Sequence, residues 1–311
     1  MKTNFRSLLR LFSLALLWGS SFMWIKLGLR EFSPTQLAMI RILLGSLVLI
    51  PVCFALKQKF PTSPRIWLHL LVVGVLGAAA PFALFAYGEQ TVDSSVAGVM
   101  NATTPLWALV IGLLIGTDRP NARWRIVGLV LGFFGVCLVL APWKHASADL
   151  AGTIACLVAA ACYAVNFAYI VRFVSPAGLS PFVLSAIQLG LGGSVLALTL
   201  PLGGLQWAAP DPIAIGAVTF LGIAGTGVAF VINNKVIYEE GATAAAMVGY
   251  LLPVVAVILG AVVLKEPITL DILVGMLLVL VGVFISRWAA RRGEPQERIA
   301  GPERNEQLTE A

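Results

Sequence analysis

Apolar residues in this chain come in long unbroken blocks rather than in alternation. Ten such stretches run approximately over 7–29, 34–56, 66–88, 94–116, 124–141, 151–172, 181–201, 212–238, 243–264 and 269–288, divided by Pro, Gly and charge. Crossing about 30 Å of hydrocarbon takes about 20 helical residues, and most blocks match that length. Continuity rather than a two-residue period predicts membrane helices instead of barrel strands. The tail, 289–311, has no apolar period from Gly293 onward (GEPQERIAGPERNEQLTEA) and is predicted to be disordered and cytoplasmic.

Composition agrees with that pattern. The 311 residues are 59% hydrophobic and only 12% charged, with a mean hydropathy of +0.92. A soluble domain carries about a quarter charged residues. The opening MKTNFRSLLR resembles a signal peptide, but no small-x-small cleavage site follows LALLWGSSFMWIKLG, which predicts a retained first helix. If the N-terminus is cytoplasmic and all ten blocks cross, fifteen Lys and Arg residues fall on the cytoplasmic side and four (Lys26, Arg30, Lys144, Lys265) opposite. The bias follows the positive-inside rule and puts both termini in the cytoplasm. Because the basic residues are spread over short loops, the net charge of +6 predicts a lipid bilayer as partner and no nucleic acid.

The sequence also excludes several chemistries. Cys53, Cys137, Cys156 and Cys162 lie in apolar stretches without a C-x-x-C pair, so they read as small packing residues and no metal site is expected. None of the seven lysines follows a glycine, which leaves no nucleotide-binding loop. H-E-x-x-H, G-x-S-x-G and paired intramembrane aspartates are missing too. The expectation is a protein that is not an enzyme and needs no cofactor.

An internal repeat organises the blocks. Shifted by 148 positions, Gly74, Gly77, Phe82, Ala97, Pro105 and Gly112 fall on Gly222, Gly225, Phe230, Ala245, Pro253 and Gly260. Past a one-residue gap near Arg119, Pro120, Gly128 and Gly135 fall on Pro267, Gly275 and Gly282. At a shift of 145, LLWGSSFMWI lies on ACYAVNFAYI, which pairs Trp18 with Tyr163, Ser21 with Asn166, Phe22 with Phe167 and Trp24 with Tyr169. Ser33-Pro34 and Ser180-Pro181 then open the second and seventh blocks. The predicted domains are a first five-helix repeat over 7–141 and a second over 151–288. Two units with odd numbers of crossings insert in opposite orientations. The predicted fold is therefore all-α, ten transmembrane helices as two inverted five-helix repeats around a central cavity, an arrangement suited to alternating access.

WGSSFMWIKLGL resembles the first helix of EamA-type transporters of the drug/metabolite superfamily. The close of each half resembles it as well: TPLWALVIGLLIGTDRPNARWRIVGLVLGFFGV and LPVVAVILGAVVLKEPITLDILVGMLLVLVGV. That family has a Gly-Glu-Arg-like element before the last helix of each unit. Here Asp118-Arg119-Pro120 and Glu266-Pro267 stand at those places, the second lacking the Arg. The resemblance spans about residues 10–288 and implies a ten-helix bundle with a central cavity, exporting small metabolites or drugs; family habit and the compact loops imply a cell inner membrane.

Candidate substrate-lining residues follow from faces and notches. Trp18, Ser21, Phe22 and Ile25 recur at i, i+3, i+4 and i+7, and Tyr163, Asn166, Phe167 and Ile170 repeat that face. Rings with one small polar group suit an amphipathic small-molecule substrate, while helix-to-helix bridging is the alternative use of Ser21 and Asn166. Trp24 and Tyr169 are equally suited to interfacial anchoring. Asn101 lies one turn before Pro105, and Gly249-Tyr250 precedes Pro253. Each proline frees a carbonyl and forms a candidate hinge beside the site. In AFVINNKVIYEEGA, Lys235 reads as snorkelling near Glu239, and the resemblance favours Asn234 over Asn233 as the cavity amide. Arg41 and Gln188 lie within spans and need partners that the sequence does not name.

Gly112, Gly116, Gly128, Gly132, Gly275 and Gly282 predict close helix approach and are also compatible with a homodimer face. The acids all fall near helix ends, which favours a facilitator driven by the solute gradient, with proton exchange through Glu89 or Glu239 second. The leading function is a secondary exporter of small amphipathic metabolites such as amino acids or drugs. The alternative is a lipid scramblase or an assembly scaffold. Compartment-specific reporters at both termini should read cytoplasmic and one in the 142–150 connection external; a shared side for all three refutes the inverted threading.

Overall fold

Serine caps and prolines start the helices where the sequence places them. Ser33 Oγ accepts from Gln36 N at 3.2 Å, and Gln36 Oε1 accepts from Ser33 N at 3.0 Å, with Pro34 in the first turn. Ser180 and Pro181 repeat half of this device, Ser180 Oγ accepting from Val183 N at 3.3 Å. Proline at the first turn costs nothing, because its missing N–H would be unpaired there anyway.

The structure, a computed structural model, describes residues 5–115, 122–140, 147–202, 211–240 and 248–293. Among these the chain is helical and has no strand. The order is α1 (Phe5–Gly19), α2 (Ser21–Gly28), α3 (Pro34–Ala55), α4 (Pro64–Gly74), α5 (Ala80–Gly88), α6 (Ser94–Asn101), α7 (Thr104–Ile115) and α8 (Ala122–Leu140). There follow α9 (Ser147–Tyr169), α10 (Pro181–Thr199), α11 (Pro212–Gly222), α12 (Ala229–Glu240), α13 (Leu252–Leu259) and α14 (Leu270–Gly293). π-helical turns join α4 to α5 (Val75–Ala79) and α11 to α12 (Ile223–Val228), and others follow α9 (Ile170–Val174) and α13 (Gly260–Leu264). The predicted tail beyond Gly293 and the Asp118-Arg119-Pro120 element lie outside the described residues.

Among the described residues, seven helical stretches are long and apolar enough to cross a membrane: Leu8–Gly28, Pro34–Ala55, Pro64–Gly88, Ser94–Gly112, Leu150–Ala177, Pro181–Thr199 and Pro212–Val236. The predicted fifth, ninth and tenth spans are represented by shorter apolar helices, Ile126–Val139, Leu252–Leu264 and Leu270–Ile285. In the ninth, Pro253 begins the helix afresh in its first turn, which shortens the continuous run. Large apolar side chains face outward along the spans, among them Phe54, Phe133, Leu198 and Leu270. That is the surface a lipid environment wants, since packing rather than burial from water joins helices there.

Connectors collect at two ends of the bundle. At one end Lys26, just before the end of α2, reaches the carbonyls of Glu89 and Val92 after α5. The start of α9 lies at this same end: a β-carbon added at Gly152 would meet Gly88 O at 2.8 Å. At the other end residues 57–63 and 177–180 line an open cleft of about 560 Å³.

Glycine sets the tightest helix contact. A β-carbon at Gly282 would lie 2.5 Å from Gly128 O, and one at Gly275 would lie 2.7 Å from Gly135 O. Pairs in reversed order make α8 and α14 antiparallel, with backbones in contact. Gly128, Gly132, Gly275 and Gly282 are thus used within the chain. We expect Gly282→Leu to force these helices apart and cost about 1–3 kcal/mol, read as lower thermal stability in detergent. Gly216→Leu, at a position with open space around it, serves as the control, and an equal loss there would refute the close-packing account.

Candidate functional site

A polar belt forms where the π turns interrupt their helices. Pro81 has no N–H for the carbonyl of Gly77, four residues earlier, so that carbonyl is left free inside the bundle. Gln188 of α10 satisfies it, Nε2 donating at 2.9 Å. In the other π turn, Thr226 Oγ1 accepts from Arg41 Nε of α3 at 2.9 Å. Arg41 Nη2 reaches Ser21 Oγ at 3.4 Å, and the Ser21 hydroxyl donates to Leu17 O at 3.1 Å. The guanidinium carbon lies 4.1 Å from the centre of the Phe82 ring.

This environment explains how a cation survives mid-bundle. Placing Arg at the centre of a membrane helix costs about 2.5–3.5 kcal/mol on insertion scales. A desolvated cation–π contact returns about 2 kcal/mol, and hydrogen bonds to a charged donor about 1.5–3 kcal/mol each when well formed. The sum leaves Arg41 tolerable without an ion pair, and no hydrogen-bonded carboxylate meets it among the described residues.

Contacts in the belt recur with the two halves exchanged. Trp18 packs edge-on against Phe230 (6.0 Å), and Tyr163 against Phe82 (6.5 Å). A β-carbon on Gly225 would meet Ser21 Oγ at 3.4 Å, and one on Gly77 would meet Asn166 Nδ2 at 2.5 Å. Gly45 meets Thr226, and Gly192 meets Ala78. Outside the belt, where α8 packs on α14, Gly128 meets Gly282 and Gly135 meets Gly275. The Ser-Pro shift of 147 also maps Arg41 onto Gln188, and each donates into the π turn of the opposite half.

The predicted site residues divide. Ser21 (5% exposed) and Asn166 (2%) are buried in the belt, with Trp18 and Tyr163 beside it. Asn166 Oδ1 has no hydrogen-bond partner. Phe22 is buried against Phe85, whereas its repeat counterpart Phe167 is 56% exposed and points away from Asn166's buried face. Asn101 is half-buried in the last turn of α6, its carbonyl accepting from Thr104 Oγ1 at 2.8 Å. Pro105 and Pro253 each stand in the first turn of a new helix, α7 and α13. Tyr250 lies in a short 3-10 turn before α13, with its side chain outside the described residues.

Asn234 has an internal use. Its Nδ2 donates to Pro181 O and Ser185 Oγ, both at 3.1 Å, which ties α12 to the start of α10. Lys235 is exposed near the end of α12, and Asn233 is half-buried. Trp24 packs on Phe220 (4.7 Å), and Tyr169 shares a hydrogen bond with His69 Nδ1 at 2.8 Å. The sequence reading missed Thr226, Phe82 and the Gly77 carbonyl as belt members, and left Arg41 and Gln188 unmatched. The 147-residue shift already relating the two Ser-Pro pairs was the signal that would have joined them.

The family model of EamA-like transporters matches residues 6–141 and 150–288 of the chain. A protein of Escherichia coli K12, an uncharacterized inner membrane transporter called YedA, is 28% identical over 263 residues, covering 83% of this chain and 84% of its own. YdfC, an uncharacterized transporter of Bacillus subtilis, is 27% identical over 78% of both chains. PecM of Dickeya dadantii is 24% identical over 78% of this chain and 79% of its own. A crystal structure at 20% identity superposes with a TM-score of 0.64, covering 93% of this chain and 99% of its own, which shows a shared fold.

Asn234→Ala should destabilise the chain by about 1–2 kcal/mol, because it breaks two interhelical bonds. Asn166→Ala, whose Oδ1 bonds to nothing, should cost clearly less. Thermal unfolding of both variants in detergent checks this, and equal losses would remove the division of roles.

Proposed function

Since the chain belongs to the EamA-like transporter family, we propose that it is a secondary, non-ATP exporter of small amphipathic metabolites in the inner membrane, working by alternating access between two inverted repeats. Its family and its relatives' names are those of membrane transporters rather than enzymes. The single observation that carries the mechanism is the set of belt contacts made twice with partners exchanged. A pseudo-two-fold relation of that kind, acting on antiparallel helices such as α8 and α14, has its axis across the helices and so in the membrane plane. The start of α9 beside the end of α5 supports the same reading, because the second unit then begins opposite the side where α1 begins.

The belt suggests how a solute is held. Arg41 has five N–H donors, of which two are used, leaving three for a carboxylate. Asn166 Oδ1 is a free acceptor for an ammonium or hydroxyl donor, and Trp18, Phe82 and Tyr163 supply ring surface. An amino acid has this combination of groups. The belt is closed in this structure, so a solute enters when the halves part, and Pro105 and Pro253 stand where helices α7 and α13 can pivot.

Purified protein in liposomes should move amino acids faster than empty vesicles do. Ser21→Ala and Asn166→Ala should slow that flux, and Arg41→Gln should cut it about tenfold, equivalent to about 1.4 kcal/mol. Flux no greater than in empty vesicles, together with scrambling of labelled lipid, would replace the exporter with a scramblase.

A further inference from the structure

Two acids meet at the end of the bundle where Lys26 lies, and the structure treats them oppositely. Glu266, before α14, is fully hydrogen-bonded: its oxygens accept from Ser94 N at 2.8 Å and Ser95 N at 3.1 Å, at the N-terminus of α6. Glu89, just beyond the Pro64–Gly88 span, is 0% exposed, and neither carboxyl oxygen has a hydrogen-bond partner. Side chains lean toward the N-terminus of their own helix, so this carboxyl tilts back into the bundle rather than out to water. An ionised carboxylate buried bare loses far more hydration than a neutral acid does.

The charged and titratable groups facing Glu89 come from several elements: Lys26 of α2, Arg41 of α3, Cys156 of α9 and Glu266. Burial pushes the Glu89 carboxyl well above the usual carboxylate range; Lys26 and Arg41 pull it down and Glu266 pushes it further up, with burial the largest influence. Lys26 is not paired with it. The ammonium instead donates to the Glu89 carbonyl at 2.7 Å and the Val92 carbonyl at 2.6 Å, pinning the turn between α5 and α6 to the end of α2.

We propose that Glu89 is a proton-binding site that couples solute export to proton uptake, neutral in this closed arrangement and ionised once its proton has passed to water on the side from which solute is taken. The carboxyl takes a proton back from water on the side to which solute leaves, so one proton crosses against one solute. Once ionised, Glu89 attracts the nearby Lys26 ammonium and competes for it with the two carbonyls. That exchange releases the turn at residues 89–93 and lets this end part. The coupling rests on the transport reading above, whereas the buried exchangeable proton stands on the geometry alone.

A hydrophobic carbodiimide, which modifies protonated carboxyls in apolar surroundings, should label Glu89 of the intact protein, as read by mass spectrometry of its peptide. Labelling should fall as the pH is raised. In liposomes with the membrane potential clamped at zero, each unit of imposed pH gradient should change the solute accumulation ratio about tenfold for one-for-one exchange. Whatever flux remains in Glu89→Gln should ignore the gradient. Absence of labelling at every pH overturns the proton site. A wild-type protein that transports but ignores the gradient, or a Glu89→Gln variant that keeps the full response, overturns the coupling alone. A wild-type protein that moves no solute overturns the transport reading and the coupling with it.

Discussion

Inside hydrocarbon no water stands ready to satisfy a backbone group that its own helix has released. The π turns at Val75–Ala79 and Ile223–Val228 are therefore the features on which the centre of this bundle depends. Each is answered from the opposite half. Gln188 completes the Gly77 carbonyl that Pro81 leaves unpaired, and Arg41 bonds Thr226. Side chains drawn in for that purpose make the middle of the protein polar, so the helix irregularity and the candidate site are one feature.

The close contacts around the belt follow from the same need. Gln188 reaches a main-chain carbonyl only if α10 and the α4–α5 joint nearly touch, and Gly74 and Gly192 allow it: a β-carbon on either would meet the other's backbone at 3.0 Å or less. Gly45 does the same for the Thr226 turn. Glycine in these helices is spent on proximity, and aromatic rings such as Phe82 and Tyr163 fill the space on either side. Tyr163 touches both of the largest apolar clusters, which places the belt between them.

Much of this was legible in the sequence, for identifiable reasons. Unbroken apolar blocks predict membrane helices because lipid imposes one solvent on every face, and the Ser-Pro caps mark helix starts by local chemistry alone. Ser21, Asn166, Trp18 and Tyr163 were legible because one register repeats them. The burial of Glu89 was not, since a residue at a helix end looks solvated until the packed neighbours are known. The interhelical bonds of Asn234 were not legible for the converse reason: an amide in an apolar span suggests a wet face, and Ser185 and Pro181 come near it only after folding. Arg41 and Thr226 are 185 positions apart, beyond any local pattern. The exposure of Phe167 against the burial of Phe22 shows that a repeat predicts backbone position better than it predicts surroundings.

Arg41 and Gln188 stand at matched places, but only one of them carries a charge. Pro81 likewise has Ala229 as its counterpart at the 148-residue shift. Two mirror-related arrangements of a perfectly duplicated chain would weigh the same. Here swapping the roles of the halves would carry the guanidinium into the surroundings that an amide now occupies, and those surroundings solvate it differently. For the alternating access proposed above, this makes the molecule a lopsided balance rather than an even one, with one resting side favoured by its own sequence.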